Sequence, residues 1–308
     1  MLTRLIAALA TGFVLAGCMG SDSGSSHVGL RPDTPPPQFF GWMNPEIQDA
    51  WDAGYLGQGT RITVVDEFVG EQFRANLGFG RELGTHGYWT ATQASMIAPS
   101  ALITEFDYNT TGTPVPLEPN KLNVMNLSYR LVGTLDHDFP TGPRAEIEQS
   151  LIGYARDGQA VIVKSAGNEA MGIDAALDGQ FDLLNLALIG AESAIFVGAL
   201  DRHGTPDNLA NLTSYSNIAG SDPTIQNQFL SVGVLDQLTE LSGTSFSASI
   251  VSGYAAVLGS KFTDASPTQI ARQLLDTART DTIRNYDPVL HGRGEASISR
   301  ALAPASIN

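Results

Sequence analysis

A single cysteine, Cys18, stands in a chain of 308 residues, so no disulfide can form within it and the core must hold the fold unaided. Basic residues are scarce as well. Seventeen Lys plus Arg face 32 Asp plus Glu, a formal charge of −15 at pH 7. That balance repels nucleic-acid phosphates and supplies no polybasic patch for anionic lipid, which excludes nucleic acid as a partner. The acidity itself reads as solubility in a salty exterior. With 43% hydrophobic and 16% charged residues the chain can bury a substantial core, and its length does not demand two globular domains.

The N-terminus, "MLTRLIAALATGFVLAGC", has one Arg and then an apolar run from Leu5 to Leu15. The run is too short to span a bilayer comfortably and fits a secretory signal. Its ending, Leu15-Ala16-Gly17-Cys18, resembles the bacterial lipobox, whose cysteine is lipidated and becomes the mature N-terminus. A plain cleaved signal with an incidental cysteine is the simpler alternative. The expectation is a signal peptide at 1–17 and a lipidated Cys18 opening a Gly-, Ser- and Pro-rich tether at 18–38. Membrane attachment would then be by lipid, in the bacterial cell envelope. Met19, where Asp is associated with inner-membrane retention, points to the outer membrane.

Beyond the tether, short apolar runs alternate with helical patterns. "RITVVD", "ALITEF", "NVMNLS", "AVIVKSAG" and "AIFVGAL" suit buried strands, while "NPEIQDAWDAGY" and "AEIEQSLIGYARDG" read as helices. Asn44 is a candidate cap for the first of these. This alternation predicts an α/β fold with a mostly parallel central sheet. Sites on such sheets lie beyond the carboxyl ends of the strands. Asp66, Asn126 and Asn168 sit at such ends. "LSGTSFSASIVSGYAAVL" is apolar or small on most faces, with Phe246, Ile250, Tyr254 and Leu258 at helical spacing, so it should be buried. Its opening Gly243-Thr244-Ser245 is either a hydroxyl cap or a nucleophile at a helix start.

Each polar residue has a plain reading by itself. Asp66 could turn to solvent, His86 could be structural, and Asn168 could serve a left-handed turn. Together the order Asp…His…Asn…Ser, with its flanking patterns, resembles the subtilisin-like serine peptidases, the subtilases; that chain order is a known one for the triad. "GQGTRITVVD" resembles the segment leading to the catalytic Asp, "THGYWTA" the His motif, "VIVKSAGNE" the oxyanion strand and "GTSFSASIVSG" the Ser motif. "HGRGEASISRAL" resembles the closing segment. The resemblance implies a catalytic triad of Asp66, His86 and Ser245, with the Asn168 amide at the oxyanion. It also implies that Ser128, Tyr129 and Arg130, together with Ser165, Ala166 and Gly167, line the site of a polypeptide substrate. The expected unit is a subtilase-like three-layer peptidase domain over 39–308, a serine endopeptidase with no cofactor and no metal.

The chain departs from the family pattern in several places. Glu67-Phe68 follows Asp66, and Glu67 is expected to point to solvent. Tyr88, Trp89 and Thr92 alter the His motif, so that helix must pack differently, and Ser249-Ile250 replaces Pro-His in the Ser motif. Tyr129-Arg130 replaces Leu-Gly in the substrate strand, which should change or narrow the cleft. With only the short tether expected between Cys18 and the peptidase body, no folding prodomain is expected, and the His86–Asn168 interval has no recognisable version of the family's strong calcium-binding loop. These changes keep open a catalytically silent subtilase fold that binds peptides or serves as a scaffold. A sedolisin-like acid peptidase is the third reading, but it would need Glu and Asp where His86 and Asn168 stand.

Overall fold

A computed structural model describes residues 37–109, 113–135 and 145–307. The expected signal peptide, Cys18 and the expected tether up to residue 36 lie outside the described residues.

Six strands form one sheet in the order β10-β9-β7-β5-β1-β4, and every pairing in it is parallel. They are β1 (Thr60–Asp66), β4 (Leu102–Asp107), β5 (Leu122–Leu127), β7 (Val161–Ser165), β9 (Ala194–Leu200) and β10 (Phe229–Gly233). A hairpin, β2 (Phe73–Ala75) with β3 (Glu82–Gly84), and a ribbon, β6 (Val132–Gly133) with β8 (Phe181–Asp182), are antiparallel additions. The five apolar runs expected as strands from the sequence are all strands of the large sheet. Parallel strands need crossovers, and helices supply them.

Alternation along the strands feeds two cores. Ile62 and Val64 of β1, Val161 and Val163 of β7, and Ile195 and Val197 of β9 face one layer. Val65, Met125, Ile162 and Phe196 face the other. The first layer holds α1 (Glu46–Asp52), α2 (His86–Ile97), α7 (Thr244–Lys261), α8 (Pro267–Asp276) and α10 (Ile298–Leu302). The second holds α3 (Ala145–Arg156), α4 (Leu183–Leu188) and α5 (Pro223–Gln228). Two single-turn helices, α6 (Asp236–Thr239) and α9 (Pro288–His291), lie in connections. The α/β expectation therefore holds, as three layers with the sheet in the middle.

Helix α7 is buried from Thr244 through Ser260, which agrees with its lack of a polar face. Its small residues let neighbours approach closely. A Cβ on Gly253 would lie 2.4 Å from Ile97 Cγ2 of α2, and one on Gly259 would lie 2.4 Å from Leu122 Cδ2 of β5. Ser249 Oγ donates to Gln93 Oε1 at 2.6 Å, a polar tie between α7 and α2 where the family has Pro. For α1, the side chain of Asn44 accepts the Glu46 N–H at 3.0 Å, as its capping reading required. Among the described residues no helix is long and apolar enough to cross a membrane.

Candidate active site

The carboxyl ends of β1, β4, β5 and β7 meet the start of α7 at an open cleft of about 340 Å³. Asp66, Glu67, His86, Ser128, Arg130 and Ser165 line it, with Tyr108, Tyr129, Gly167, Asn168, Thr244 and Ser245. Nearly every site residue read from the sequence thus reaches one cavity. Ala166 does not line it; its side chain sits in the second core, and its carbonyl accepts from Asn217 Nδ2 at 3.0 Å. Asn126 also faces away, donating to Ser252 on α7 and accepting from the Ser128 hydroxyl.

Asp66 closes β1 and is buried, so its carboxylate needs partners. His86 Nδ1 lies 2.8 and 2.9 Å from its two oxygens. The Glu67 N–H donates to Oδ1 at 2.7 Å, and Thr90 Oγ1 lies 3.3 Å from Oδ2, its one proton shared between that oxygen and the Gly87 carbonyl at 3.0 Å. Thr90 was not singled out in the sequence. One turn after His86 on α2, it faces the same carboxylate. A carboxylate can only accept, so Nδ1 carries a proton, and in the neutral imidazole it is Nε2 that keeps its lone pair. Thr85, the N-cap, fixes the start of α2 by accepting the Tyr88 N–H. His86 is therefore held from its first turn, with its ring 5.7 Å from that of Phe246, the neighbour of Ser245. Glu67 is half-buried on the cleft rim and curls over Gly70, not wholly out to solvent as expected.

Ser245 occupies the first turn of α7. Its hydroxyl donates to the Ser128 carbonyl at 3.2 Å, and the Ser128 hydroxyl, whose one proton is shared with Asn126 Oδ1, lies 3.1 Å from the Ser245 carbonyl. The structure has no hydrogen bond between His86 and Ser245. Such bonds are often long without a substrate. The capping reading of Thr244-Ser245 fails. The N-cap is Gly243, at φ +132°, a backbone angle that favours glycine, and it has no side chain to cap with. Instead the cap comes from another segment: Asn168 Oδ1 accepts the Thr244 N–H at 2.9 Å and the Thr244 hydroxyl at 3.0 Å. A backbone N–H can only donate, so the amide cannot be flipped, and Asn168 Nδ2 is the atom left to meet a ligand.

The loop after β7 has its own anchor, which sequence reading missed. Buried Asn217 accepts the N–H groups of Glu169 (2.9 Å) and Met171 (3.2 Å) with Oδ1. Its Nδ2 donates to the Ala166 carbonyl and to Glu169 Oε2 at 2.9 Å, and its N–H bonds the Gly167 carbonyl. Gly167, at φ +111°, would carry a Cβ 2.3 Å from Asn217 Nδ2, so this close approach requires glycine. Under the same loop, Lys164 is fully buried on β7 and pairs with Asp182 Oδ2 at 3.1 Å. Asp182 in turn caps α4 and accepts the Leu131 N–H just beyond the 128–130 wall. Nothing local in the sequence marks these pairings, because each partner lies far along the chain. Among the described residues no grouping of His, Cys, Asp and Glu is arranged to hold a metal ion.

The arrangement can position a carboxylate, an imidazole base, a hydroxyl and an amide donor around one reacting carbonyl. Comparison with known proteins agrees in fold. The MycP3 protease from the type VII (ESX-3) secretion system is 20% identical, with 88% of this chain and 90% of that one covered and a TM-score of 0.53. For MycP1 from Mycobacterium smegmatis the figures are 18%, 89%, 87% and 0.55. A psychrophilic protease gives 17% identity, 82% and 97% coverage and a TM-score of 0.50. At such identities the likeness speaks to fold alone. No curated protein sequence matches significantly. The subtilase family profile matches residues 69–295, a span that takes in His86, Asn168 and Ser245 but starts just after Asp66. Because that match covers most of the chain, the chain belongs to the subtilase family.

Proposed function

We propose that this subtilase is an active serine endopeptidase, held at the bacterial outer membrane by a lipid on Cys18. The observation that carries the catalytic part is the Asp66–His86 pair, held through Nδ1 on the cleft that Ser245 and Asn168 also line, so that in the neutral imidazole Nε2 is the nitrogen free to act as base. In this reading, rotation about the Ser245 Cα–Cβ bond takes its hydroxyl from the Ser128 carbonyl to His86. Oγ attacks the scissile carbonyl while Nε2 takes the hydroxyl proton, and Asp66 stabilises the imidazolium. The oxyanion receives the Asn168 Nδ2–H and the Ser245 N–H, where the exposed start of α7 favours negative charge. His86 then passes the proton to the leaving amine, and water repeats the sequence on the acyl-enzyme.

The test is labelling by a fluorophosphonate probe. Folded wild-type protein should be labelled and Ser245→Ala should not. No Ser245-dependent labelling would sink the peptidase reading in favour of a silent peptide-binding fold, which the present Ser245–Ser128 hydrogen bond suits. The anchor rests on the lipobox pattern. Metabolic labelling with a radioactive fatty acid should mark wild type and fail on Cys18→Ser, and unlabelled wild type would discard it. Domain limits of 1–17, 18–38 and 39–308 belong to the same proposal, checked by sequencing the mature N-terminus.

A further inference from the structure

Arg130 on the cleft lining pairs with Glu169, Nη1 to Oε1 at 2.6 Å, the two residues coming from the segments after β5 and β7. Arg130 lies two residues after Ser128, whose carbonyl holds the Ser245 hydroxyl. Glu169 follows Asn168 directly. The two partners differ in how fully they are engaged. Glu169 Oε1 is on Arg130, while Oε2 accepts from the Asn168 N–H at 3.0 Å and from Asn217 Nδ2 at 2.9 Å, so both oxygens of this carboxylate are engaged and its charge is already paired. Arg130 uses one nitrogen. Its Nε and Nη2 have no partner among the described residues, and its side chain remains 30% exposed.

Charge is unevenly placed around the cavity. Asp66 and Glu67 are at the His86 end, and Arg130 is the only Lys or Arg among its described lining residues. A guanidinium with an open edge is a fork suited to a carboxylate. A basic side chain entering there would instead meet the like charge of Arg130, with the Glu169 charge already paired to that guanidinium. The geometry points to Arg130 as a specificity-determining residue that receives an acidic side chain, Glu or Asp, on the acyl side of the scissile bond. This inference rests on the peptidase reading for its register, yet it can be tested without turnover.

The full chain carrying Ser245→Ala is titrated with N-terminally fluorescent tetrapeptide amides ending in Glu, Gln or Lys, read by anisotropy. A charge-assisted bond in a half-exposed site predicts roughly tenfold tighter binding of the Glu peptide than of the Lys peptide. Adding Arg130→Ala should abolish that preference. Adding Glu169→Gln, which removes the competing charge but keeps a carbonyl oxygen for the loop, should widen it, and it supplies a second reading if Arg130→Ala is poorly folded. Equal affinities, a Lys preference, no binding of any peptide, or a preference unmoved by both substitutions overturns the assignment. Wild-type cleavage of the same sequences, extended beyond the acyl residue, separates the two ideas. A Glu preference in binding with no cleavage condemns the peptidase reading and leaves Arg130 its role.

Discussion

Replacing Asn217 with Ala should slow turnover without weakening substrate binding, and should do so only through Asn168. The side chain holds four bonds to the 166–171 loop and none to the cleft. Removing it orphans the Glu169 and Met171 N–H groups, at about 1–3 kcal/mol for each buried donor. Water recovers part of this, so global stability in urea should fall by about 2–4 kcal/mol. Thr244 would still grip Asn168 Oδ1, but the backbone beneath the amide would be loose. Misplacement by about 1 Å can cost ~10²-fold in rate, and with one tether retained a loss of roughly tenfold in kcat is expected at unchanged KM. Asn168→Ala alone should cost ~10²–10³-fold, a magnitude taken from a subtilisin. The decisive measurement is the double variant. If Asn217 acts by aiming the amide, its removal in the Asn168→Ala background should change kcat less than about twofold. An equal cost in both backgrounds would refute the reasoning and reduce Asn217 to a stability residue.

Gly253→Ala should destabilise by about 1–3 kcal/mol through a clash with Ile97, and Ile97→Ala should relieve that clash, so that the double variant is more stable than additivity allows in chemical denaturation. Lys164→Met leaves the Asp182 charge buried and unpaired and should cost about 3–5 kcal/mol; adding Asp182→Asn, which retains the α4 cap, should restore part of it, and no recovery would refute the unpaired charge as the cause. Burial pushes His203 below its ordinary imidazole value, with Arg279 in the same direction and the Trp42 carbonyl and Glu46 opposing. The unfolded chain therefore binds the proton first, so the stability contributed by neutral His203 is whole above about pH 6.5 and is lost as pH falls through the folded-state value. His203→Gln, which can still donate to Trp42, should flatten the melting temperature between pH 7 and 5; an unchanged slope would assign the loss elsewhere, for instance to His291, which burial also depresses. Glu295, raised by burial, has the opposite sign and cannot mimic this.

What was legible in the sequence was whatever local chemistry dictates. β-Branched runs became strands because both faces of the sheet are buried, and α7 was readable as a buried helix because it has no polar face. His86 and Ser245 stood out because each opens a helix of small residues. The cap of α7 could not be read locally, because a short hydroxyl next to a helix start looks like a cap in any sequence, whereas the acceptor, Asn168, lies 76 residues away. Asn217, Lys164–Asp182 and Arg130–Glu169 were invisible for the same reason: a long-range hydrogen bond leaves no period and no spacing.

The departures from the family pattern bear on whether the site works. Thr90 and Ser249, both in altered motifs, donate to Asp66 and to Gln93. Trp89 is buried with its N–H on the Phe73 carbonyl. Arg130 brings its counter-charge in Glu169. The changes are thus compensated, and none of them removes Asp66, His86, Asn168 or Ser245 from the cleft. Burying Asp66 costs stability in any fold that does not need it, since a buried carboxylate is held only by several well-aimed donors. A scaffold that merely bound peptides would gain by replacing it with an apolar residue on the end of β1. Its retention, with Nδ1 of His86 held against it, is what a base with one fixed tautomer requires, and it favours chemistry over binding.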